Sequence, residues 1–187
     1  MLIALVAPAG SGKTTAAKHL ARRYGFKRIH AGQPIKDGVR RGFGLKRGAV
    51  EKPKGKEAPH ILLGGASPRA VLEAYGEGIH QAAPLATAIL LKRRLTKALS
   101  KGKHVVIDGV RGEPEAEVVR RAGGKLVGLD NGSGPNPALP LDQRQAEIVV
   151  DHMLRSKGGK KELREAIDAL MRKLMGASLT GTGPAVL

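Results

Sequence analysis

Leu2-Ile3-Ala4-Leu5-Val6-Ala7-Pro8-Ala9-Gly10-Ser11-Gly12-Lys13-Thr14-Thr15 is the stretch that decides the fold. Its first five residues are apolar without alternation, the pattern of a parallel strand covered on both faces. Ala7 to Thr14 then fits G-x-x-x-x-G-K-[ST], with alanine in place of the first glycine. From Lys13 to Tyr24, Ala16, Ala17, Leu20, Ala21 and Tyr24 mark one helical face, Arg22 and Arg23 suit the last turn, and Gly25 supplies the stop. Strand, glycine loop and helix follow in the order a phosphate-binding loop needs. Gly10 and Gly12 let the backbone curl so that successive N–H groups point at one phosphate, and the helix adds its N-terminal partial charge. Ala9, Gly10, Ser11, Gly12, Lys13, Thr14 and Thr15 are therefore expected to cradle the phosphates of ATP or a close relative. Lys13 would hold the β and γ phosphates, and the Thr14 hydroxyl would ligate Mg²⁺.

Outward from this loop, Phe26 to His30 reads as a second strand and Pro34 to Phe43 as a short helix. Residues 44–60, rich in Gly, Lys and Pro, read as a mobile basic loop. A helix is expected from Ser67-Pro68, a cap followed by proline at the first helical position. Another runs from Pro84 to about Ser100 with Leu85, Ala88, Leu91, Leu95 and Leu99 inward. His104 to Asp108 is the next strand, and Pro114 to Ala122 is a helix with glutamates at its start, Arg120 and Arg121 at its end and Gly123-Gly124 beyond. Lys125 to Leu129 is a further strand, residues 131–140 a lid-like loop, and Glu147 to Leu154 holds the last strand. The final helix spans about Lys161 to Met175 on a stripe of Leu163, Ile167, Leu170 and Leu174, with Gly176 as its stop and 177–187 as a tail. Strands alternating with helices at this spacing imply an α/β fold, a parallel sheet with helices on both faces. Ligands in such sheets sit at the carboxyl ends of the strands, where Ala7 to Thr14 and Asp108 to Arg111 both fall.

The 187 residues suit one domain, and 41% hydrophobic content can bury a core without the disulfides that a chain with no cysteine lacks. The apolar start has no basic n-region and no run approaches the ~20 residues of a membrane span, so a cytoplasmic protein without a membrane partner is expected. Lys and Arg exceed Asp and Glu by 33 − 16 = 17, which favours polyanionic partners or a strongly phosphorylated ligand. The excess is concentrated, with seven basic residues against Glu51 alone between Arg40 and Lys56, and six against none from Lys92 to Lys103. Phe26, Phe43, Tyr24 and Tyr75 are the only aromatics, too few to build base-stacking platforms. Nucleic acid is thus a partner the charge permits and the composition does not favour.

Asp108 ends an apolar strand, where a carboxylate could orient Mg²⁺ or its water or merely cap the strand. Arg111, three residues on, is placed either to grip a phosphoryl group through two hydrogen bonds or to pair with Glu115 on the surface. Arg69 sits in the first turn of its helix, where a cation opposes the helix dipole and an anion nearby would justify it. The six histidines show no metal-ligand spacing and are assigned no chemistry.

Together these segments resemble the deoxynucleoside monophosphate kinases of bacteriophages and prophages, a branch of the P-loop nucleoside monophosphate kinases. Val105-Val106-Ile107-Asp108-Gly109-Val110-Arg111-Gly112-Glu113-Pro114-Glu115-Ala116-Glu117, running on to Gly123-Gly124, looks like the family's strand, Asp-Val-Arg turn and glutamate-led helix. Ser67-Pro68-Arg69 is similar to its Thr-Pro-Arg helix start, Ala31-Gly32-Gln33-Pro34-Ile35-Lys36 to its Ala-x-Pro-Leu-Lys segment, and Asp151 through Leu163 to its last strand and closing helix. The resemblance implies a single P-loop kinase domain over residues 1–176 that transfers the γ-phosphoryl of ATP to a deoxynucleoside monophosphate, in a host cytoplasm if phage-encoded. It implies Lys13 and Arg111 on the transferred group, Lys36, Arg69 and Arg111 toward the acceptor, and Mg²⁺ held by Thr14 and Asp108, partly through water. Gly109 stands where the family's aspartate would align, and an arginine expected some residues after Arg69 is absent, with His80 nearby instead. Three other readings stay open: a P-loop kinase of another small acceptor such as a coenzyme precursor, a nucleic-acid-binding NTPase or packaging accessory, and a nucleotide-binding regulator without turnover. The oligomeric state is open, a homodimer included.

Overall fold

A computed structural model describes residues 1–8, 10–132, 134, 140–157 and 159–180. Along the chain run β1 (Leu2–Val6), α1 (Lys13–Tyr24), β2 (Lys27–His30), α2 (Gln33–Gly42), α3 (Arg47–Glu51), α4 (Pro53–Glu57) and α5 (Pro68–Ala82). There follow α6 (Ala86–Leu99), β3 (Val105–Asp108), α7 (Glu113–Arg121), β4 (Lys125–Asp130), α8 (Pro140–Ala146), β5 (His152–Arg155) and α9 (Lys160–Thr180). The strands form one sheet in the order β2-β3-β1-β4-β5, every neighbour parallel. β1 lies at its centre and is buried along its whole length, as its unbroken apolar run requires.

Alternation along the strands sends side chains to two layers. Ile3, Leu5, Val106 and Val127 pack with Ala16, Ala17 and Leu20 of α1 and with Leu163, Ile167 and Met171 of α9. Leu2, Ala4, Val105, Ile107 and Leu126 pack on the other face with Leu91 and Leu95 of α6 and Val119 of α7. Each fully buried leucine or isoleucine contributes about 1.5–3 kcal/mol, so these two layers rather than helix propensity hold the fold. Among the described residues no helix is long and apolar enough to cross a membrane.

The elements around the P-loop stand where the sequence puts them, and Ser67 caps α5 by accepting from the Ala70 amide at 3.2 Å. Four expectations are corrected. Residues 44–60 are not an irregular loop: they hold α3 and α4, because Leu45 and Val50 close a third apolar cluster with Val39 of α2. Leu85 is exposed, since α6 begins one residue later, and Ala98 takes an inward place instead. The stretch 131–140 lies mostly outside the described residues, but Pro140 opens α8, a helix not foreseen, and the last strand begins only at His152. Gly176 does not stop the final helix, which continues to Thr180, so the boundary expected at 176/177 falls inside α9.

Candidate active site

Gly12 caps α1 with φ +88°, a left-handed conformation that glycine adopts freely. A β-carbon there would also lie 2.7 Å from the Leu163 side chain, so α9 closes the outer side of the loop against it. Gly10, Gly12, Lys13, Thr14 and Thr15 line a cavity of about 620 Å³, while Ser11 is buried beneath them. Ala9 lies outside the described residues. The Lys13 ammonium folds back on its own loop, donating to the carbonyl of Ala7 and, at 2.6 Å, to that of Pro8.

The same cavity takes in the carboxyl ends of β2 and β3. His30 pairs in register with Asp108, and alternation puts Arg28 on the same side of its strand as His30. Arg28 Nη2 donates to Asp108 Oδ2 at 2.9 Å, leaving Asp108 Oδ1 buried and without a hydrogen-bond partner among the described residues. An aspartate at Gly109 does not fit: the backbone there has φ +81°, and a β-carbon would stand 3.0 Å from the His30 ring. Asp108 is therefore the carboxylate this strand end offers.

Four cations converge from separate elements. Lys36 of α2, Lys56 of α4, Arg69 of α5 and Arg111 of the β3–α7 turn all line the cavity. Burial, with the charges of Lys56 and Arg111, holds the Lys36 ammonium below its usual pKa. Burial and the charges of Arg69 and Arg111 do the same for Lys56. Arg69 is oriented by Glu57 at 2.6 Å and by Glu73 at 3.6 Å. The alternative role of Glu115 as partner of Arg111 has a competitor, since its carboxylate accepts from the Thr87 hydroxyl at 2.6 Å.

His30 is wedged among these groups. β-Carbons added at Gly32 and Gly109 would approach its ring at 3.3 and 3.0 Å, and its Nδ1 is buried without a partner among the described residues. Burial, followed by the fields of Lys36, Arg111, Arg28 and Arg94, pushes its pKa down to about 3, so the imidazole is neutral. Farther along α5, Glu77 accepts from Arg144 of α8 at 2.7 and 3.3 Å, which holds its carboxyl below the usual range. His80 lies beside them, so an arginine does reach this end of the cavity, but from α8 rather than from α5. Gln145 anchors α8 by donating to the Val110 carbonyl.

Lys13, Thr14, Lys36, Arg69, Asp108 and Arg111, the side chains singled out by the sequence, all line this one cavity. Arg28, His30, Lys56 and Arg144, which the sequence does not single out, stand with them. His30 could have been found from its place at the carboxyl end of a parallel strand. Lys56 sits in a run of similar lysines, and Arg144 in a helix that was not foreseen.

No family model matches the chain. A protein of Acanthamoeba polyphaga mimivirus named "Putative deoxynucleotide monophosphate kinase" is 31% identical over 171 residues, covering 83% of this chain and 84% of that protein. Among solved structures, a sugar kinase from Janibacter sp. HTCC2649 superposes with a TM-score of 0.53 at 15% identity, covering 96% of this chain and 97% of that one. Shikimate kinase from Acinetobacter baumannii, in complex with shikimate, gives 0.50 at 16% identity, covering 96% and 95%. The two structures share the α/β kinase fold with this chain.

Proposed function

The chain belongs to the family of that viral deoxynucleotide monophosphate kinase, an ATP-dependent phosphotransferase family on the P-loop kinase fold, and on that premise we propose that it phosphorylates a deoxynucleoside monophosphate. The observation that carries this reading is one cavity lined both by the P-loop and by Lys36, Lys56, Arg69 and Arg111, two phosphate-binding surfaces in one space. The lowered pKa of Lys36 and of Lys56 supports it: burial is the first cause of each, and neighbouring cations, Lys56 on Lys36 and Arg69 on Lys56, add repulsion that an anion among them would relieve.

In this reading the ATP phosphates lie on the amides of the P-loop. Lys13 exchanges the carbonyls of Ala7 and Pro8 for the β and γ phosphates. An oxygen of the acceptor phosphate, held by Lys36, Lys56 and Arg69, attacks the γ phosphorus. The bond from that phosphorus to its bridging oxygen breaks, and ADP leaves with the electron pair. Arg111 offsets the charge that develops between the two phosphoryl groups, so positioning and electrostatics supply the rate.

Mg²⁺ fits the residues present. The Thr14 side chain lines the cavity, and Asp108 Oδ1 is a buried acceptor with no partner among the described residues. No group of three His, Asp or Glu side chains among the described residues is arranged to hold a metal, so the ion would take its other ligands from phosphates and water, as magnesium does in such sites. When bound it would neutralise phosphate charge.

Coupled assays of ADP formation with each of the four deoxynucleoside monophosphates test the proposal. At least one should raise ADP formation about a hundredfold over the rate with ATP alone, with the diphosphate as product. Stimulation by a sugar or another non-nucleotide alcohol, and by none of the four monophosphates, would overturn it.

A further inference from the structure

The edge of the sheet opposite the cavity is also strongly basic. In a parallel sheet with helical crossovers, strands start and the preceding helices end at the edge away from the ligand site. The register aligns Lys27 and Leu2 with Val105, and Ile3 with Lys125, so four neighbouring strands start side by side at a spacing of about 4.8 Å. Backbone bonds tie the row, from Lys27 N to His104 O at 2.8 Å and from Val105 N to Met1 O at 2.9 Å. The Met1 amino group lies 2.8 Å from His104 Nδ1. Arg22 and Arg23 end α1 at this edge, Lys97 is in the last turn of α6, and Arg120 and Arg121 end α7.

Acids answer only part of this charge. Lys125 meets Asp151 at 3.5 Å, Arg121 meets Glu117 at 2.7 Å, and Arg23 meets Asp168 at 3.4 Å. Arg22, Lys27, Lys97, Lys101 and Lys103 are exposed and have no ion-pair partner among the described residues. The helix dipole accounts for cations in last turns. It does not account for Lys27, Lys101 and Lys103, which lie in a strand start and in the α6–β3 turn.

We infer that this strand-start edge is a docking surface for the phosphate backbone of duplex nucleic acid, separate from the kinase cavity and blind to sequence. Its chemistry selects the partner. A row of unpaired cations on a chain of net charge +17 suits a regular polyanion, whose binding releases counterions. None of the chain's four aromatics, which a single strand would need for stacking, is exposed at this edge: Tyr24 and Phe26 are turned inward to the α1–α9 core, Phe43 directly follows α2 and Tyr75 is on α5. A lipid surface needs an apolar face to insert. The exposed Ile61, Leu62, Leu85, Ile89 and Leu90 are on segments around α5 and α6, whereas the exposed Met1, Val149, Met153 and Met175 come singly from separate segments, before β1, before β5, in β5 and in α9.

Fluorescence anisotropy with labelled duplexes of unrelated sequence, in saturating ATP and deoxynucleoside monophosphates, tests the inference. The wild type should bind all duplexes alike, with log K falling linearly as log salt rises. Lys27→Gln, Lys101→Gln and Lys103→Gln together should weaken binding by about tenfold or more and flatten the slope by roughly 2.7, about 0.9 for each lost phosphate contact. Removing three charges at Arg41, Lys52 and Lys54 instead should change affinity less than about twofold. The strand-edge triple variant should keep wild-type phosphotransfer, and if it melts early the single Lys103→Gln carries the test through its slope alone. Absence of salt-dependent duplex binding would overturn the inference. So would release of the duplex by mononucleotides, equal losses in the two triple variants, or retention on phosphatidylserine vesicles without duplex binding.

Discussion

The two walls of the cavity are built from different material. On the ATP side, binding is expected from backbone amides, set by Gly12 at φ +88° and backed by α1, whose Ala16, Ala17 and Leu20 are sealed into a core layer. On the acceptor side it falls to long side chains, Lys36, Lys56 and Arg69, carried by helices that rest on the small cluster of Val39, Leu45 and Val50. Backbone donors fixed by a turn lose no rotamer freedom when a ligand arrives, whereas each ordered lysine or arginine costs up to ~2 kcal/mol of side-chain entropy. On the proposed reading the donor wall is set by the fold, and the acceptor wall by charge.

If that contrast holds, the largest single effect belongs to the one side chain on which the donor wall depends. Lys13→Ala should lower kcat by at least about a hundredfold, the loss of several kcal/mol of transition-state stabilisation. Its thermal midpoint should barely move, because the ammonium donates to carbonyls of its own loop, Ala7 and Pro8, rather than into the core. Initial rates and a melting curve check both halves, and a variant with more than about a tenth of wild-type kcat would break the contrast at its strongest point.

The two arginines sharpen it. Arg111→Ala should lower kcat by about tenfold to a hundredfold, because charge moves toward that guanidinium during transfer. Arg69→Ala should mainly raise KM for the monophosphate, by about tenfold, because its contact is present before and during transfer. Steady-state kinetics with the acceptor varied at saturating ATP separate the two, and a kcat loss at Arg69 with KM unchanged would move it from holding the acceptor to stabilising the transfer.

The same contrast explains what could be read in the sequence. A P-loop must be contiguous, since strand, glycine turn and helix start follow within about a dozen residues, so Gly10 to Thr15 were legible, as were strands whose apolar runs have no other use. The acceptor wall is assembled from distant segments. Gly, Lys and Pro between 44 and 60 read as a loop because Leu45 and Val50 are too sparse to show a helical period, and only their meeting with Val39 makes the segment fold. Proline reads there as a breaker, yet Pro53 sits at the first turn of α4, where a missing N–H costs nothing. Gly176 reads as a stop, yet α9 passes through it, because a glycine costs a helix only about 1 kcal/mol. His30 stayed invisible because its depressed pKa comes first from burial and then from cations on α2, the β3–α7 turn, β2 and α6, none of which a local stretch of sequence displays.

A truncation in the small cluster should uncouple the walls. Leu45, 3% exposed, loses its packing in Leu45→Ala at a cost of about 2 kcal/mol. Because α3 contributes Val50 to that cluster and α4 packs on α3, trypsin should cut faster among the lysines between 44 and 60, and KM for the monophosphate should rise while KM for ATP stays within about twofold. Equal losses at both substrates would mean that the walls fold as one unit.

The smallest expected effect lies at the joint between the walls, in the titration of His30. Its folded pKa of about 3 is below the ~6.5 of an unfolded chain, so between those values the unfolded state binds a proton that the native state refuses. Stability from this group is therefore complete above about pH 6.5 and is lost as pH falls toward 3. Carboxylates with lowered pKa, such as Glu77 and Asp168, lose theirs only nearer pH 4, which leaves pH 7 to 5 as the window where His30 can be seen. Across that window the wild type should lose about 1–2 kcal/mol more than His30→Gln, which keeps a polar side chain of similar reach and cannot be protonated. Urea unfolding at pH 7, 6 and 5 measures the difference. Parallel curves for the two proteins would mean that the imidazole is protonated as readily in the native state as in the unfolded one, and that the cations of the acceptor wall are too well screened to repel it. A phosphate anion between those cations should shrink the difference, by offsetting the field that Lys36 and Arg111 exert on the ring. Repeating the titration with saturating deoxynucleoside monophosphate therefore asks whether the acceptor binds where those cations converge.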